Sequence, residues 1–222
     1  ISRTAAGEWA VETSKGCVTC ETVVNATGFY GNEIARMAGG EVPVVTLEHQ
    51  YLVTETIPQL EQDKTLFPLI RDPDIRFYLR RERSGFLFGS YGHPGRLAFQ
   101  DGIPDDFVFQ LLPDDWDQFQ ILMEHALERV PALAEAEIRQ FYNGPESFTP
   151  DNNFILGEAP GLRNFFVGAG FNSMGIASAG GAGQALAEWI VNGAPTRDLW
   201  PVDIRRFDRF NNNTRWLHDR VK

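Results

Sequence analysis

Between Asn164 and Trp189 the chain reads NFFVGAGFNSMGIASAGGAGQALAEW, an order of residue types that few folds accept. Phe165, Phe166 and Val167 form a short apolar run suited to a strand covered on both faces. Gly168 and Gly170 then remove the Cβ atoms that would hold a ligand away from the backbone. The glycine- and alanine-rich helix that follows would aim its unpaired N–H groups at whatever sits above the loop. Strand, small-residue loop and helix together read as a cofactor cradle. The spacing is not a dinucleotide fingerprint. Glycines at 168 and 170 would require a third at 173, which is Ser173, and no strand with a ribose-binding acid follows within about 20 residues. The segment reads as the closing βα unit of a nucleotide fold whose opening unit lies elsewhere.

No GxGxxG accompanies a first strand, and Ile1 leads directly into strand-like sequence. The chain is therefore expected to be a piece of a longer polypeptide, and the piece alone is expected to bind cofactor poorly and to be inactive. With 43% hydrophobic and 23% charged residues it has enough apolar material for one or two compact units. A formal charge of -10 disfavours nucleic acid and anionic membrane as partners, because both need a basic surface to displace counterions. No apolar run approaches the roughly 18 residues of a membrane helix. The default expectation for location is the cytoplasm, or the mitochondrial matrix for a eukaryotic source.

Cys17 and Cys20 form the only cysteine pair. Zinc would need two further ligands, and His49, His93, His125 and His218 are scattered without ligand spacing. A redox pair of this spacing normally opens a helix, whereas Cys17 to Asn25 reads as one strand in which positions three apart face opposite ways. Two reduced strand cysteines and no metal are expected.

Glu8 to Thr13 and Cys17 to Val24 read as a hairpin turning at Ser14, Lys15 and Gly16, and it runs into the tight turn Asn25–Ala26–Thr27–Gly28. A short helix over about 31–38 follows. Strands are expected over 44–54, 75–82 and 86–90, the last two joined across Arg83, Ser84 and Gly85. Phe119, Leu122, Met123, Ala126, Leu127 and Val130 recur at helical spacing before Pro131, so a helix from Asp114 or Asp115 to Val130 should lay that stripe on the sheet. Thr149–Pro150–Asp151 reads as a turn leading into a strand at Ile155 and Leu156. Beyond Pro195, Trp200, Phe207, Phe210 and Trp216 are spaced as anchors.

In order along the chain, VVNATGFYGNEIARM, LEHQYLVTE, FYLRRERSGFLFGSY, NGPESFTPDNNFILGE and VGAGFNSMGIASAGGAGQALAEWIVNGAP resemble the flavin domain of the dimethylglycine and sarcosine dehydrogenase family. The resemblance spans nearly the whole chain. It implies an α/β (α+β) fold: part of a glutathione-reductase-type FAD-binding domain, plus a substrate domain with a mixed β-sheet and a packed helix. Expected divisions are 1–43 and 143–195 for the FAD-binding parts, 44–142 for the substrate domain, and 196–222 for the start of a C-terminal extension. The implied activity is FAD-dependent oxidative demethylation of a small N-methylated amino acid. Electrons would pass to oxygen or to an electron-transfer flavoprotein, and tetrahydrofolate would bind a downstream domain. Other members of the D-amino-acid oxidase superfamily, and a non-catalytic flavin-fold binding module, remain as alternatives.

The resemblance also implies roles for particular residues. Ala26, Thr27 and Gly28 resemble the small-residue turn beneath the FAD, although such a turn can equally just join a strand to a helix. Gly168, Gly170, Phe171, Asn172, Ser173, Met174, Gly175 and Ile176 would lie against the flavin ring, with the helix N-terminus favouring negative charge there by about 0.3 to 2 kcal/mol. Close helix–strand packing through Gly180, Gly181 and Gly183 is the structural alternative. His49, on the strand face of Tyr51 and Val53, and Tyr78, on the face of Arg76 and Arg80, resemble the family's substrate-side catalytic pair. Alone, a strand histidine reads as structural. Related sarcosine oxidases meet the substrate carboxylate partly with a lysine after the Gly-Phe of the cradle, where this chain has Asn172, so Arg80 is the expected substitute, against its reading as a solvated strand arginine.

Overall fold

The computed structural model describes residues 1–63, 65–90 and 94–221. His93 and Tyr91, named above among the scattered histidines and in one of the resembling segments, lie outside them. Two compact units emerge: residues 1–46 with 146–222, and residues 47–145.

The first unit holds two small sheets. β1 (Ser2–Arg3), β2 (Trp9–Thr13) and β3 (Gly16–Cys20) form an antiparallel meander in which Trp9 pairs Cys20 and Thr13 pairs Gly16. β4 (Val23–Asn25) belongs to the other sheet, ordered β10 (Ile155–Glu158), β11 (Phe165–Ala169), β4. The expected single strand from Cys17 to Asn25 is therefore two. β2 begins at Trp9 and offers Cys20 its last partner, so the chain releases the hairpin, and the Val23 N–H bonds the Asn164 carbonyl at 3.0 Å to begin parallel pairing with β11. Cys17 is exposed, Cys20 is half-buried, and both are free. No metal-holding group of histidine, cysteine and carboxylate occurs among the described residues.

β11 is buried along its whole length and explains the core of this unit. Phe165, Val167 and Ala169 point to one side, packing with Trp9, Ala35, Val42, Val44, Ile155 and Ile204. Phe166 points to the other, where Ala182, Ala185, Leu186 and Trp189 of α4 (Gly175–Asn192) cover it together with Leu156. Two-face burial is what an unbroken apolar strand run encodes. Gly180, Gly181 and Gly183 lie on the exposed side of α4 with nothing within 4 Å of an added Cβ, so the packing alternative for them is corrected: alanines and Leu186 make the helix–sheet contact. β4 passes through a 3-10 turn (Gly28–Tyr30) into α1 (Gly31–Met37). Near the C-terminus Phe207 packs against the core of this unit beside the buried Ile204, and Trp216 is half-buried next to the buried Leu217, whereas Trp200 and Phe210 are exposed, so the expected aromatic series anchors only in part. The closing helix is α5 (Thr214–Val221).

The second unit is built on a five-stranded sheet ordered β6 (Ile70–Asp72), β7 (Phe77–Glu82), β8 (Gly85–Ser90), β5 (Val45–Thr54), β9 (Ile138–Phe148). The pairs β6–β7, β7–β8 and β8–β5 are antiparallel. Alternation sends Leu52, Phe77, Leu79, Phe86, Phe88 and Phe141 to one face, where α3 (Trp116–Arg129) lays Phe119, Leu122 and Ala126 on them. Asp115 caps α3 by accepting the Gln118 N–H at 3.1 Å and is also ion-paired with Arg96. A short α2 (Pro58–Glu61) contributes Leu60 to the same core. No described helix is long and apolar enough to cross a membrane.

Candidate active site

In the first unit, β4 and β11 are adjacent and parallel, so their carboxyl ends deliver the 25–28 turn and the 170–175 loop to the same edge of the sheet. Open α/β sheets bind ligands at such edges. Asn25 is almost fully buried and works as scaffold: its Nδ2 donates to the Gly31 carbonyl at 2.7 Å and its Oδ1 accepts the Thr27 hydroxyl at 2.7 Å. Ala26, Thr27 and Gly28 are exposed. Gly28 has φ +64°, and a Cβ there would meet nothing within 4 Å, so the backbone stands open to a ligand.

Gly168 and Gly170 are small for a different reason. Both are buried; a Cβ on Gly168 would press on Leu186 at 3.3 Å, and one on Gly170 would collide with Thr149 Cγ2. Their missing side chains are used inside the unit. Beyond them Asn172 and Ser173 adopt left-handed backbone, at φ 49° and 63°, which costs a non-glycine residue energy unless its surroundings impose it. The Asn172 Oδ1 accepts the Thr149 N–H at 2.9 Å, and its Nδ2 donates to Gly170 O at 2.8 Å and Thr149 Oγ1 at 3.1 Å. The Ser173 hydroxyl donates to the Glu146 carboxylate. Phe171 stacks on Phe154 at 5.1 Å. This clamped loop starts α4 with no side-chain cap on Met174, leaving the backbone N–H groups around Gly175 as donors, with Met174 partly exposed and Ile176 fully exposed. Thr149 and Glu146 were missed in the sequence, where Thr149–Pro150–Asp151 read only as a turn.

In the second unit the candidate residues His49, Tyr78 and Arg80 lie on the sheet face opposite α3. The His49 Nε2 lies 2.9 Å from the Tyr78 hydroxyl, their rings nearly parallel with centroids 5.9 Å apart. Tyr78 sits on β7 and His49 on β5, with β8 between them. The register pairs Tyr78 with Gly89, and Gly89 with Tyr51. A Cβ on Gly89 would stand 2.5 Å from the Tyr78 hydroxyl and 2.8 Å from Tyr51 Cβ. Only glycine lets the phenol cross β8 to His49. Tyr51 stacks on Tyr142 at 4.7 Å. Burial, reinforced by Tyr142 and opposed by Arg80, raises the Tyr51 phenol above its usual range, so it stays neutral. Arg80 is half exposed and pairs with Glu82 at 2.7 Å. Gly89 and Tyr142 carried no sequence signal, the first because it is one small residue in a strand and the second because β9 was not anticipated.

An uncapped helix at the carboxyl ends of parallel strands, beside an open left-handed glycine, suits a nucleotide-type ligand, and the family match specifies which. Residues 1–189 match the model described as FAD dependent oxidoreductase, and residues 192–222 match FAD dependent oxidoreductase central domain. The chain belongs to the FAD dependent oxidoreductase family. Among curated relatives it is 42% identical over 212 residues to mitochondrial sarcosine dehydrogenase of Mus musculus, covering 95% of this chain and 22% of that protein. It is 38% identical over 209 residues to mitochondrial dimethylglycine dehydrogenase of Mus musculus, covering 92% and 24%. Among solved structures, the L-proline dehydrogenase from P. horikoshii superposes with TM-score 0.72 at 26% identity, over 90% of this chain and 50% of that one. The chain thus spans about a quarter of the length of these curated relatives.

Proposed function

We propose that the protein containing this chain oxidatively demethylates a small N-methylated amino acid of the sarcosine or dimethylglycine class, using FAD. The observation that carries the reading is the 2.9 Å His49–Tyr78 contact, on the sheet face that also bears Tyr51, Tyr142 and Arg80. Supporting it are the 42% and 38% identities to proteins named for those substrates.

The residues present fit FAD. Exposed Ala26, Thr27 and Gly28 leave room for close backbone approach, and the uncapped N–H groups at the start of α4 favour a carbonyl-rich or anionic ligand edge. We assign Gly28, Gly175 and Ile176 to direct contact, and Gly168, Gly170, Asn172 and Ser173 to shaping the loop. Phe171 and Met174 fill the space beside it. When bound, FAD supplies the two-electron acceptor that amine oxidation requires. His49 takes up the proton of the substrate ammonium, since only the neutral amine can be oxidised, and Tyr78 orients the nitrogen by hydrogen bond. Arg80 receives the substrate carboxylate by exchanging its Glu82 partner, a role the Asn172 side chain, with its bonds made inside the loop, is poorly placed to fill. The onward acceptor is oxygen or an electron-transfer flavoprotein, the one-carbon product passes to tetrahydrofolate on a further domain, and a eukaryotic source would place the protein in the mitochondrial matrix.

The test is anaerobic flavin bleaching in the full-length protein with sarcosine, dimethylglycine and a panel of D-amino acids. Reduction by the N-methylated pair alone supports the reading. Reduction by D-amino acids moves the protein elsewhere in the superfamily, and flavin-free protein points to a binding module. Turnover in air without added acceptor would assign oxygen.

A further inference from the structure

This inference rests on the reading above and deepens it toward how the substrate is recognised. The sheet face bearing His49 and Tyr78 continues sideways into Tyr51 and Tyr142. Tyr51 lies two residues from His49 on β5, so the two share a face. Gly89 removes the side chain that would separate Tyr78 from Tyr51, and the Tyr51–Tyr142 stack, tilted by only 17°, extends the surface onto β9. Four rings, all half-buried, thus form one floor across four strands. Aliphatic and aromatic residues of the opposite face are buried under α3, so these rings are not needed to fill that core.

We propose that Tyr51, on the ring face turned away from Tyr142, binds the methylated ammonium group of the substrate by attraction between the cation and the ring together with apolar contact to the N-methyl carbons, and that Tyr142, stacked on the other face, holds that ring in place. Aromatic rings recognise methylated ammonium in this way because the charge is spread over the methyl surface and the ring face is electron-rich. The Tyr51 phenol stays neutral, so the attraction comes from the ring quadrupole and not from a phenolate. Arg80 stands on the same face, close enough to influence Tyr51, where it suits the opposite end of a zwitterion. Tyr51 is thereby a specificity-determining residue, Tyr142 is a positioning residue acting through Tyr51, and Gly89 is one acting through Tyr78.

The test uses two ligands of equal shape that cannot be turned over: trimethylammonioacetate, which carries a fixed positive charge beside its carboxylate, and 3,3-dimethylbutanoate, the carbon analogue that keeps the carboxylate and lacks the positive charge. Binding of each to the flavin-loaded full-length protein is measured by isothermal titration calorimetry. The cation should bind about three- to thirtyfold more tightly than the carbon analogue. Tyr51→Phe should keep that ratio, whereas Tyr51→Leu should bring it toward one and Tyr142→Leu, which leaves the Tyr51 ring unbacked, should lower it partway, while binding of the carbon analogue changes little. A wild-type ratio near one, or a ratio that survives Tyr51→Leu, overturns the proposal. The wild-type and Tyr51→Phe results stand even if a leucine variant does not fold, which thermal melting would reveal. Failure to oxidise sarcosine and dimethylglycine would instead refute the proposed function, whatever these ratios show.

Discussion

Gly28 and Gly170 hold nearly the same left-handed backbone, φ +64° and +63°, in opposite surroundings. A methyl on Gly28 would enter open space; one on Gly170 would strike Thr149 Cγ2 and approach Val44 Cγ1 to 3.1 Å. Left-handed backbone costs an alanine about 1–2 kcal/mol. Forcing an extra methyl into a packed site adds about 1–3 kcal/mol. Gly28→Ala should therefore destabilise the chain by about 1–2 kcal/mol, and Gly170→Ala by about 2–5 kcal/mol. The entropy that alanine removes from the unfolded chain is common to both and cancels in the comparison. Thr149→Ser deletes the clashing methyl but keeps the hydroxyl that donates to the Asn153 carbonyl at 2.8 Å and accepts from Asn172. Placed in the Gly170→Ala background, it should recover most of the steric part. Urea unfolding followed by tryptophan fluorescence, with m unchanged, gives the four free energies of the cycle. Equal losses at the two glycines, or no rescue by serine, would refute the packing account of Gly170.

Leu122→Ala should cost about 2–5 kcal/mol, because Leu122, on the side of α3 turned to the sheet, is only 6% exposed, and an unchanged urea midpoint would contradict the helix–sheet packing. Burial alone would raise the Asp151 carboxyl, but hydrogen bonds from Arg206 and the Asn153 N–H, the Arg206 charge and Thr149 together hold it below the usual carboxylate range. Its stabilisation is complete above the unfolded pKa near 4 and is lost as pH falls through the lower folded value, so Asp151→Asn should cost at most about 1 kcal/mol at pH 7, because solvent screens the partly exposed pair, and less below about pH 4. A wild-type-minus-variant difference that stays flat from pH 7 to 2.5 would remove that linkage. Tyr78→Phe should slow flavin reduction by about 1–3 kcal/mol of barrier while leaving the flavin spectrum intact, with His49→Gln flattening the pH dependence between about 6 and 8. Unchanged rates and profiles in stopped-flow would assign the pair to structure alone.

What could be read in advance follows the range of the interactions involved. The buried β11 and the stripe of α3 declare themselves because their patterns are local: three apolar residues in a row, or an apolar residue every third or fourth place. β9 escaped because IRQFYNGPESF carries Gly144–Pro145 inside the strand, a pair that normally argues against one. It is tolerated because β9 ends the sheet order, where a missing N–H leaves no neighbour unpaired. The site was legible only where the family resemblance supplied it. The His49–Tyr78 contact spans 29 positions and depends on a glycine in a third strand, so no local periodicity could disclose it.

The two units place their chemical information differently, which bears on how each tolerates change. In the first, the polar side chains near the α4 loop are spent on one another: Asn172 on Thr149 and Gly170, Ser173 on Glu146, Asn25 on Gly31. What the loop offers outward is backbone N–H and exposed small residues, which survive any substitution that preserves the local fold. A change at Asn172 should therefore act through loop geometry, altering cofactor affinity and stability together. In the second unit the groups proposed to act are the side chains themselves, set on strands whose opposite face is locked by Phe77, Phe88, Phe119 and Leu122. Removing the Tyr78 hydroxyl leaves that core untouched. Loss of catalysis without loss of stability is thus the signature expected of His49, Tyr78 and Tyr51, and coupled loss is the signature expected of Asn172, Thr149 and Gly170.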